Sequence, residues 1–345
     1  MPAENFHPCE TCGCQELAVS FSSHCWEHSD KPSLLRSLQH GMQALDLSKP
    51  VSLNLKKVEA SNLDLSNRDL RRSCLSMAKL EHCLFIGTDL TQGEMVGARF
   101  THCDFVGSDL RASDFTKALF MGCSFSHADL RGACLAEAHF KETDLMGAVL
   151  HQCVIWNTDL TGATNLKKKS FADPHSKRTP KEGGISEKNS VVAFDSYRAL
   201  KHHFYRNGLH EDGSWAAYRE LTMERKRFFE TRDPRFIPSL LMDLLSGYTE
   251  KPDRVITASL AIVLAFALIY FASDAITHTG AGGSAWSRLW DSLYFSFITF
   301  TTVGYGDIVP KPLPGFRILA CVEAFSGPFM SGLYIFTLTR RYSAT

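Results

Sequence analysis

The chain of 345 residues has no surplus of either charge: 37 Lys and Arg stand against 37 Asp and Glu. A general nucleic-acid binder carries a basic excess, so no nucleic-acid partner is expected. Proline is modest at 13 residues and Phe is plentiful at 24, which excludes wholesale disorder. The N-terminal MPAENFHPCETCGC lacks the basic and apolar regions of a secretory signal, so it is not read as one. Paired carboxylates, a nucleophile–histidine arrangement and a Walker-type loop are also missing, and no enzyme is expected. No apolar stretch carries arginine at every third position, which excludes a voltage sensor. The length suits two or three domains with ample apolar material for a core.

The apolar residues are concentrated in the last hundred positions. Residues 255–273, VITASLAIVLAFALIYFAS, run for 19 residues without a charge. That is close to the ~20 needed to cross a hydrocarbon core as a helix. Residues 316–339 form a second stretch, interrupted only by Arg317 and Glu323. The sequence therefore reads as a multi-pass protein of the plasma or inner membrane. Arg225, Lys226, Arg227, Arg232, Arg235, Lys251 and Arg254 precede the first stretch, and Arg340 and Arg341 follow the second. Few cations lie between them, so both termini are expected in the cytoplasm. In that reducing compartment the eleven cysteines are not expected to form a disulfide framework.

Upstream, a period of five runs through the chain. Every fifth residue from Leu65 to Leu160 is large and apolar, at all twenty positions. The residue two before each, from Ser73 to Thr158, is small, and the residue between is often Asp, as at Asp64, Asp69, Asp109 and Asp129. Five matches neither the helix period of 3.6 nor the strand period of 2. It suits a solenoid in which each unit makes one side of a coil. His82-Cys83-Leu84-Phe85 returns as His102-Cys103-Asp104-Phe105, twenty residues on, so a coil has four sides with Cys and Phe stacked in ladders. Five coils at strand spacing give a rod of about 24 Å. Cys83, Cys103, Cys123 and Cys153 fall on the small inward position and are expected to serve as small apolar residues.

Ala128-Asp129-Leu130-Arg131-Gly132 and its relatives resemble the pentapeptide-repeat family over about residues 50–166. That resemblance implies a right-handed quadrilateral β-helix. Some members mimic DNA, which needs a strongly acidic surface. Here 14 acidic against 11 basic residues lie between positions 51 and 165, so a spacer or assembly surface is expected instead.

Residues 1–48 form a small Cys/His-rich segment. Cys9-x2-Cys12 followed by Cys25-x2-His28 has the spacing of two zinc knuckles, which can close one tetrahedron of three thiolates and an imidazole. Cys14 and His24 are spare candidates. A closed four-ligand set leaves no position for a catalytic water, so a structural Zn2+ is expected. Residues 49–166 are the β-helix. Residues 167–190 are basic and carry Pro and Gly, and read as a flexible linker. Residues 191–233 show two helical patterns separated by glycine, an αα-hairpin on the cytoplasmic side. Residues 234–253 contain FIPSLLMDLLSGY, too short to span and suited to a helix lying in the lipid interface.

The last segment, 254–345, holds the most informative motif. Between the two spans lies LWDSLYFSFITFT, residues 289–301, followed by Thr302-Val303-Gly304-Tyr305-Gly306-Asp307. Thirteen residues can only dip into the bilayer and return, with non-helical backbone lining a water-filled path. Carbonyls that all point one way require alternate residues at positive φ, which Gly304 and Gly306 permit. The carbonyls of Thr302, Val303, Gly304 and Tyr305, with the Thr302 hydroxyl, would then replace the hydration shell of a cation.

TTVGYGD at 301–307 resembles the selectivity filter of potassium channels. The resemblance covers about residues 254–341 and implies a two-span pore domain with a pore helix, K+ in the filter at Thr302–Gly306, support from Thr301 and Asp307, and a homotetramer. Some members place an acidic residue behind the filter where this chain has Ile298, so Asp307 needs another partner, a hydroxyl or a water. Gly327 lies close to the family's hinge glycine and Pro328 follows it, which makes them gating-hinge candidates together with Glu323. The whole reads as a multidomain protein: a β-helix joined to an α-helical membrane pore, a tetrameric potassium-selective channel whose repeat domain aids assembly or gating. The alternatives are a membrane-tethered interaction scaffold, or a zinc- or redox-responsive switch, with a weakly conducting pore.

Overall fold

The computed structural model describes residues 7–11, 14–44, 50–172, 185–277 and 284–343. The chain divides into two compact units, Met1–Arg227 and Phe228–Thr345.

The first unit opens with an irregular segment and helix α1 (Lys31–Ala44), then becomes a solenoid. Strands β1 (Glu59–Ser61), β2 (Lys79–Glu81), β3 (Arg99–Thr101), β4 (Leu119–Met121) and β5 (His139–Lys141) stack as one parallel sheet in the order of the chain. Their register is twenty throughout: Leu80 lies beside Phe100, and Phe100 beside Phe120. Strands β6 (Thr143–Asp144) and β7 (Ala163–Thr164) continue the stacking on another side. All twenty large apolar positions are buried. Phe85, Phe105 and Phe125 stack with centroids 4.6 and 4.7 Å apart, close to the strand spacing. Phe100, Phe120 and Phe140 form a second ladder that meets the first edge to face.

Each part of the five-residue unit has a physical task. Several small inward residues send a hydroxyl or thiol to the carbonyl of the large residue 23 positions earlier: Thr88 Oγ1 to Leu65, Ser113 Oγ to Leu90, Cys123 Sγ to Phe100, at 2.8, 2.8 and 3.3 Å. Asp before the large residue accepts the N–H two positions on, as at Asp64–Ser66, Asp104–Val106 and Asp159–Thr161, and so closes the corner. The residue two after the large one sits in the left-handed region at every corner from Lys57 to Asn157. Most of those corners are not glycine, so parallel backbone bonds between coils hold residues such as Lys57, Met77 and Lys117 in a conformation they disfavour. The four inward cysteines are buried, as the repeat predicts. The neighbouring Cys103 thiol and burial push Cys83 upward, and burial, with smaller help from Asp129 and Cys134, does so for Cys153, so neither offers a reactive thiolate.

Helices α2 (Ser190–Arg206) and α3 (His210–Glu230) form the hairpin. Asn189 caps α2 by accepting from the amides of Val191 and Val192. Tyr197, Leu200, Phe204 and Met223 belong to the same continuous core as the solenoid. The stretch expected to be a mobile linker needs correction at its two ends. Lys168–Phe171 is a 3-10 turn with Phe171 buried against Trp215, and Ile185 is buried where it bridges Cys153. One apolar side chain at each end seals the last coil, a signal that the basic composition masks. Residues 173–184 lie outside the described residues.

The second unit contains α4 (Phe236–Ser246), α5 (Pro252–Ser273), α6 (Ala285–Phe300) and α7 (Pro314–Ser343). Pro252 starts α5 at a position that needs no N–H donor. Ser284 caps α6 through the amide of Ser287. Helices α5 and α7 are long and apolar enough to cross a membrane. Helix α4 exposes Ile237, Leu240, Leu241 and Leu244, and turns Asp243 inward to pair with Arg254 at 2.6 Å.

Candidate functional site

Helix α6 ends where the glycine-bearing loop begins. Thr301 caps its C-terminus, and its hydroxyl donates to the Phe297 carbonyl at 2.8 Å. The amides of Val303 and Gly304 both donate to the carbonyl of Ile298, at 3.0 and 3.2 Å, which ties the loop back to the helix. Thr302, Gly304 and Gly306 have φ of 58, 52 and 81°, whereas no positive φ occurs at Val303 or Tyr305. That is the alternation anticipated from the glycine spacing, with Thr302 as an added left-handed position that the sequence did not reveal. The Thr302 hydroxyl donates to the Thr301 carbonyl at 2.7 Å.

Asp307 finds the hydroxyl partner that its setting requires. Tyr294, one and a half turns before the end of α6, donates to its carboxylate at 2.9 Å. Beyond the loop the chain is fixed to the residues after α5: Ile276 bridges Pro310, Thr277 bonds Val309, and Lys311 pairs with Asp274. Both ends of the loop are therefore anchored, while its middle is open. Tyr305 is 74% exposed and Val303 51% in a single chain.

Glu323 of α7 is fully buried. Its carboxyl accepts from the Tyr270 hydroxyl of α5 at 2.7 Å and from the Ser296 hydroxyl of α6. One side chain thus links both long helices to the short one, which offsets the cost of a carboxyl among apolar helices. Four residues on, Gly327 meets the end of α6: a Cβ there would lie 1.7 Å from the carbonyl oxygen of Phe300. Packing alone demands glycine at this position. Helix α7 runs as one element from Pro314 to Ser343 with Pro328 inside it.

Residues 258–344 match the family model described as ion channel, and residues 83–122 and 123–164 match pentapeptide repeats in eight copies. The C-terminal segment is a potassium-channel-like domain. It is 48% identical over 50 residues to two-pore potassium channel 1 of Arabidopsis thaliana, an alignment covering 14% of each chain. It is also 36% identical over 81 residues to protein LctB of Geobacillus stearothermophilus, across 21% of this chain and 59% of that one. The chain thus spans about one-seventh of the plant relative's length. The repeat region is similar to the pentapeptide-repeat protein HetL of the cyanobacterium Nostoc, at 22% identity, 34% and 60% coverage and a TM-score of 0.23. The C-terminal domain is similar to ion channels, a family that is not one of enzymes, and together with the two long apolar helices this supports a membrane protein.

Far from the channel domain in sequence, the N-terminal cysteines also converge. The ligand atoms of Cys9, Cys14, Cys25 and His28 all lie within 4.8 Å of one another. Cys9, Cys25 and His28 are three of the four residues expected from spacing, and Cys14, a spare candidate, is the fourth member. Cys12 lies outside the described residues. His24 is not in the group; its ring Nδ1 lies 2.9 Å from the Ser23 hydroxyl.

Proposed function

We propose that the protein is a homotetrameric potassium-selective channel whose filter is formed by Thr302, Val303, Gly304, Tyr305 and Gly306, supported by Thr301 and Asp307. The observation that carries this is the TTVGYGD loop with left-handed backbone at residues 302, 304 and 306. That alternation lets successive carbonyls share one side and stand in for water around K+. A single chain leaves Tyr305 and Val303 without packing partners, which supports completion of the loop by three further copies around a four-fold axis. Both termini lie in the cytoplasm of the plasma or inner membrane, and α4 rests in the lipid interface. The repeat unit aids assembly or gating, and a structural zinc sits in the Cys/His cluster. Glu323, Gly327 and Pro328 couple any gating movement of α7 to the pore helix α6.

Potassium flux into liposomes carrying the purified tetramer tests this. Flux that favours K+ over Na+ is expected. Gly306→Ala is expected to abolish it, because an added Cβ meets nothing of its own chain within 4 Å but the φ of +81° disfavours any side chain. A folded tetramer that passes no ions, or passes Na+ as readily as K+, would overturn the proposal.

A further inference from the structure

We infer that Cys9, Cys14, Cys25 and His28 hold one zinc ion whose task is to fasten a cap over the first coil of the solenoid. The inference rests on the zinc reading above and adds the ligand set and its purpose.

The backbone brings the four residues together in two steps. Residues 7–11 and 14–18 pair antiparallel, with Pro8 bridging Leu17 and the amide of Cys9 bonding the Glu16 carbonyl at 3.0 Å. Cys9 and Cys14 therefore stand on one small hairpin. Residues Trp26–His28 form a 3-10 turn with Cys25 at its N-cap. In that geometry positions i and i+3 lie on the same side, which pairs Cys25 with His28. Across the gap, Cys14 Sγ lies 3.8 Å from Cys25 Sγ, and His28 Nδ1 lies 3.6 Å from Cys9 Sγ and 3.3 Å from Cys25 Sγ.

Those distances favour a metal centre over a loose thiol cluster. Zinc bonds of about 2.3 Å to sulfur and 2.0–2.1 Å to nitrogen place tetrahedral ligands roughly 3.8 Å apart for two sulfurs and 3.6 Å for a sulfur and a nitrogen. Two of the three separations coincide with these edges and the third is 0.3 Å short. The Cys25 amide points at Cys9 Sγ at 3.3 Å, an N–H that would hold a metal-bound thiolate in orientation. Three thiolates and one imidazole form a closed structural set.

What the centre would fasten is visible next door. Residues 18–20, between the hairpin and the 3-10 turn, lie along the edge of the first coil. Asn54 is buried, gives its side-chain amide to the Ala18 carbonyl at 2.7 Å and exchanges bonds with Ser20 at 2.8 and 2.9 Å. Glu16 pairs with Lys56 at 2.7 Å. Val19, Trp26, Leu34 and Leu38 enter the same core as Leu53 and Leu55. The first coil of a parallel solenoid otherwise presents open backbone edges and apolar side chains, a template for unwanted pairing. So short a segment has too little core to hold itself there, and metal binding supplies that fold.

The test uses the full chain purified in detergent with zinc present. One zinc per chain is expected by elemental analysis. Cys14→Ser is expected to lose it and Cys12→Ser to keep it. Cobalt substituted for zinc should give the absorption of a tetrahedral site with thiolate charge transfer, absent in Cys14→Ser. After chelation, hydrogen exchange should accelerate at Ser20 and Asn54 and stay slow at Leu80 and Phe100. A chain that binds no zinc overturns the zinc reading itself. Zinc retained by Cys14→Ser but lost by Cys12→Ser overturns the ligand set. Zinc loss that leaves Ser20 and Asn54 protected overturns the cap. Potassium flux is read separately, so failure of any of these leaves the pore proposal to its own test.

Discussion

The two units of this chain solve the problem of apolar surface in opposite ways. The solenoid buries all twenty of its repeat-defining side chains within one copy, and its Phe ladders are complete. The channel unit turns Leu260, Leu264, Leu268, Phe325 and Phe329 outward, and its compact core is five residues with four partly buried neighbours. The first unit meets its own apolar surface within one chain. The second leaves these apolar faces without partners of their own chain, as the proposed lipid contact and tetramer require. Substitutions in the two units should therefore fail differently, by melting in one and by lost assembly or selectivity in the other.

The largest expected effect falls on the channel unit. Gly327→Ala drives a methyl into the Phe300 carbonyl, and the obstacle is backbone, not a yielding side chain. The penalty should exceed the roughly 1–3 kcal/mol of ordinary overpacking. Loss of the tetramer on size-exclusion chromatography is expected, with the melting of the solenoid unit unchanged; a conducting tetramer would break the packing argument. Next comes Phe105→Ala, which removes a ring sandwiched between two others. It should cost about 3–5 kcal/mol and lower the melting temperature of the solenoid, with K+ over Na+ preference unaffected. A changed selectivity would show that the units are more tightly linked than their separate cores suggest. A smaller effect is expected for Tyr294→Phe, which removes one hydrogen bond to Asp307 worth roughly 0.5–1.5 kcal/mol. Assembly should survive, and the rate at which K+ current declines during sustained opening should change.

How far the sequence reaches follows the same division. The solenoid is written into every five residues, so its coil size, inward cysteines and ladders are readable in advance. Its corners are not: Lys57, Arg72, Met77 and Lys117 have no taste for left-handed backbone, and cross-coil bonding holds them there. The ends of the stretch 167–190 escape for a related reason, since Phe171 and Ile185 are isolated apolar residues in a polar run. In the channel unit the filter motif announces itself, yet the groups that hold it do not. Tyr294 and Asp307 are thirteen residues apart with no motif between them. Glu323 stands out as a carboxyl in an apolar stretch, but Tyr270 and Ser296, its partners on other helices, carry no such mark. Among the N-terminal cysteines, spacing supplies the candidates, and among the described residues Cys14 joins Cys9, Cys25 and His28.

Acidity offers a last and finer cut within the solenoid unit. His203 is buried with Nδ1 2.9 Å from the Leu160 carbonyl, at the junction of hairpin and solenoid. Burial lowers its pKa, so the native state holds it neutral while the unfolded chain takes up a proton near pH 6.5. Its contribution is present above that value and is lost as pH falls below it. The corner carboxylates respond later. The Arg71 guanidinium holds Asp69 below the ordinary range, and the Ser66 amide does the same for Asp64. Their contribution is present above about 3.9, the unfolded value, and disappears as pH falls through the lower native one. Stability of the unit should therefore drop in two stages, the first below about pH 6.5 and the second below about pH 4. His203→Gln should remove the first stage and leave the second, followed by melting temperature against pH. A single decline near pH 4 in the unaltered protein would mean that the hairpin junction contributes nothing that titrates.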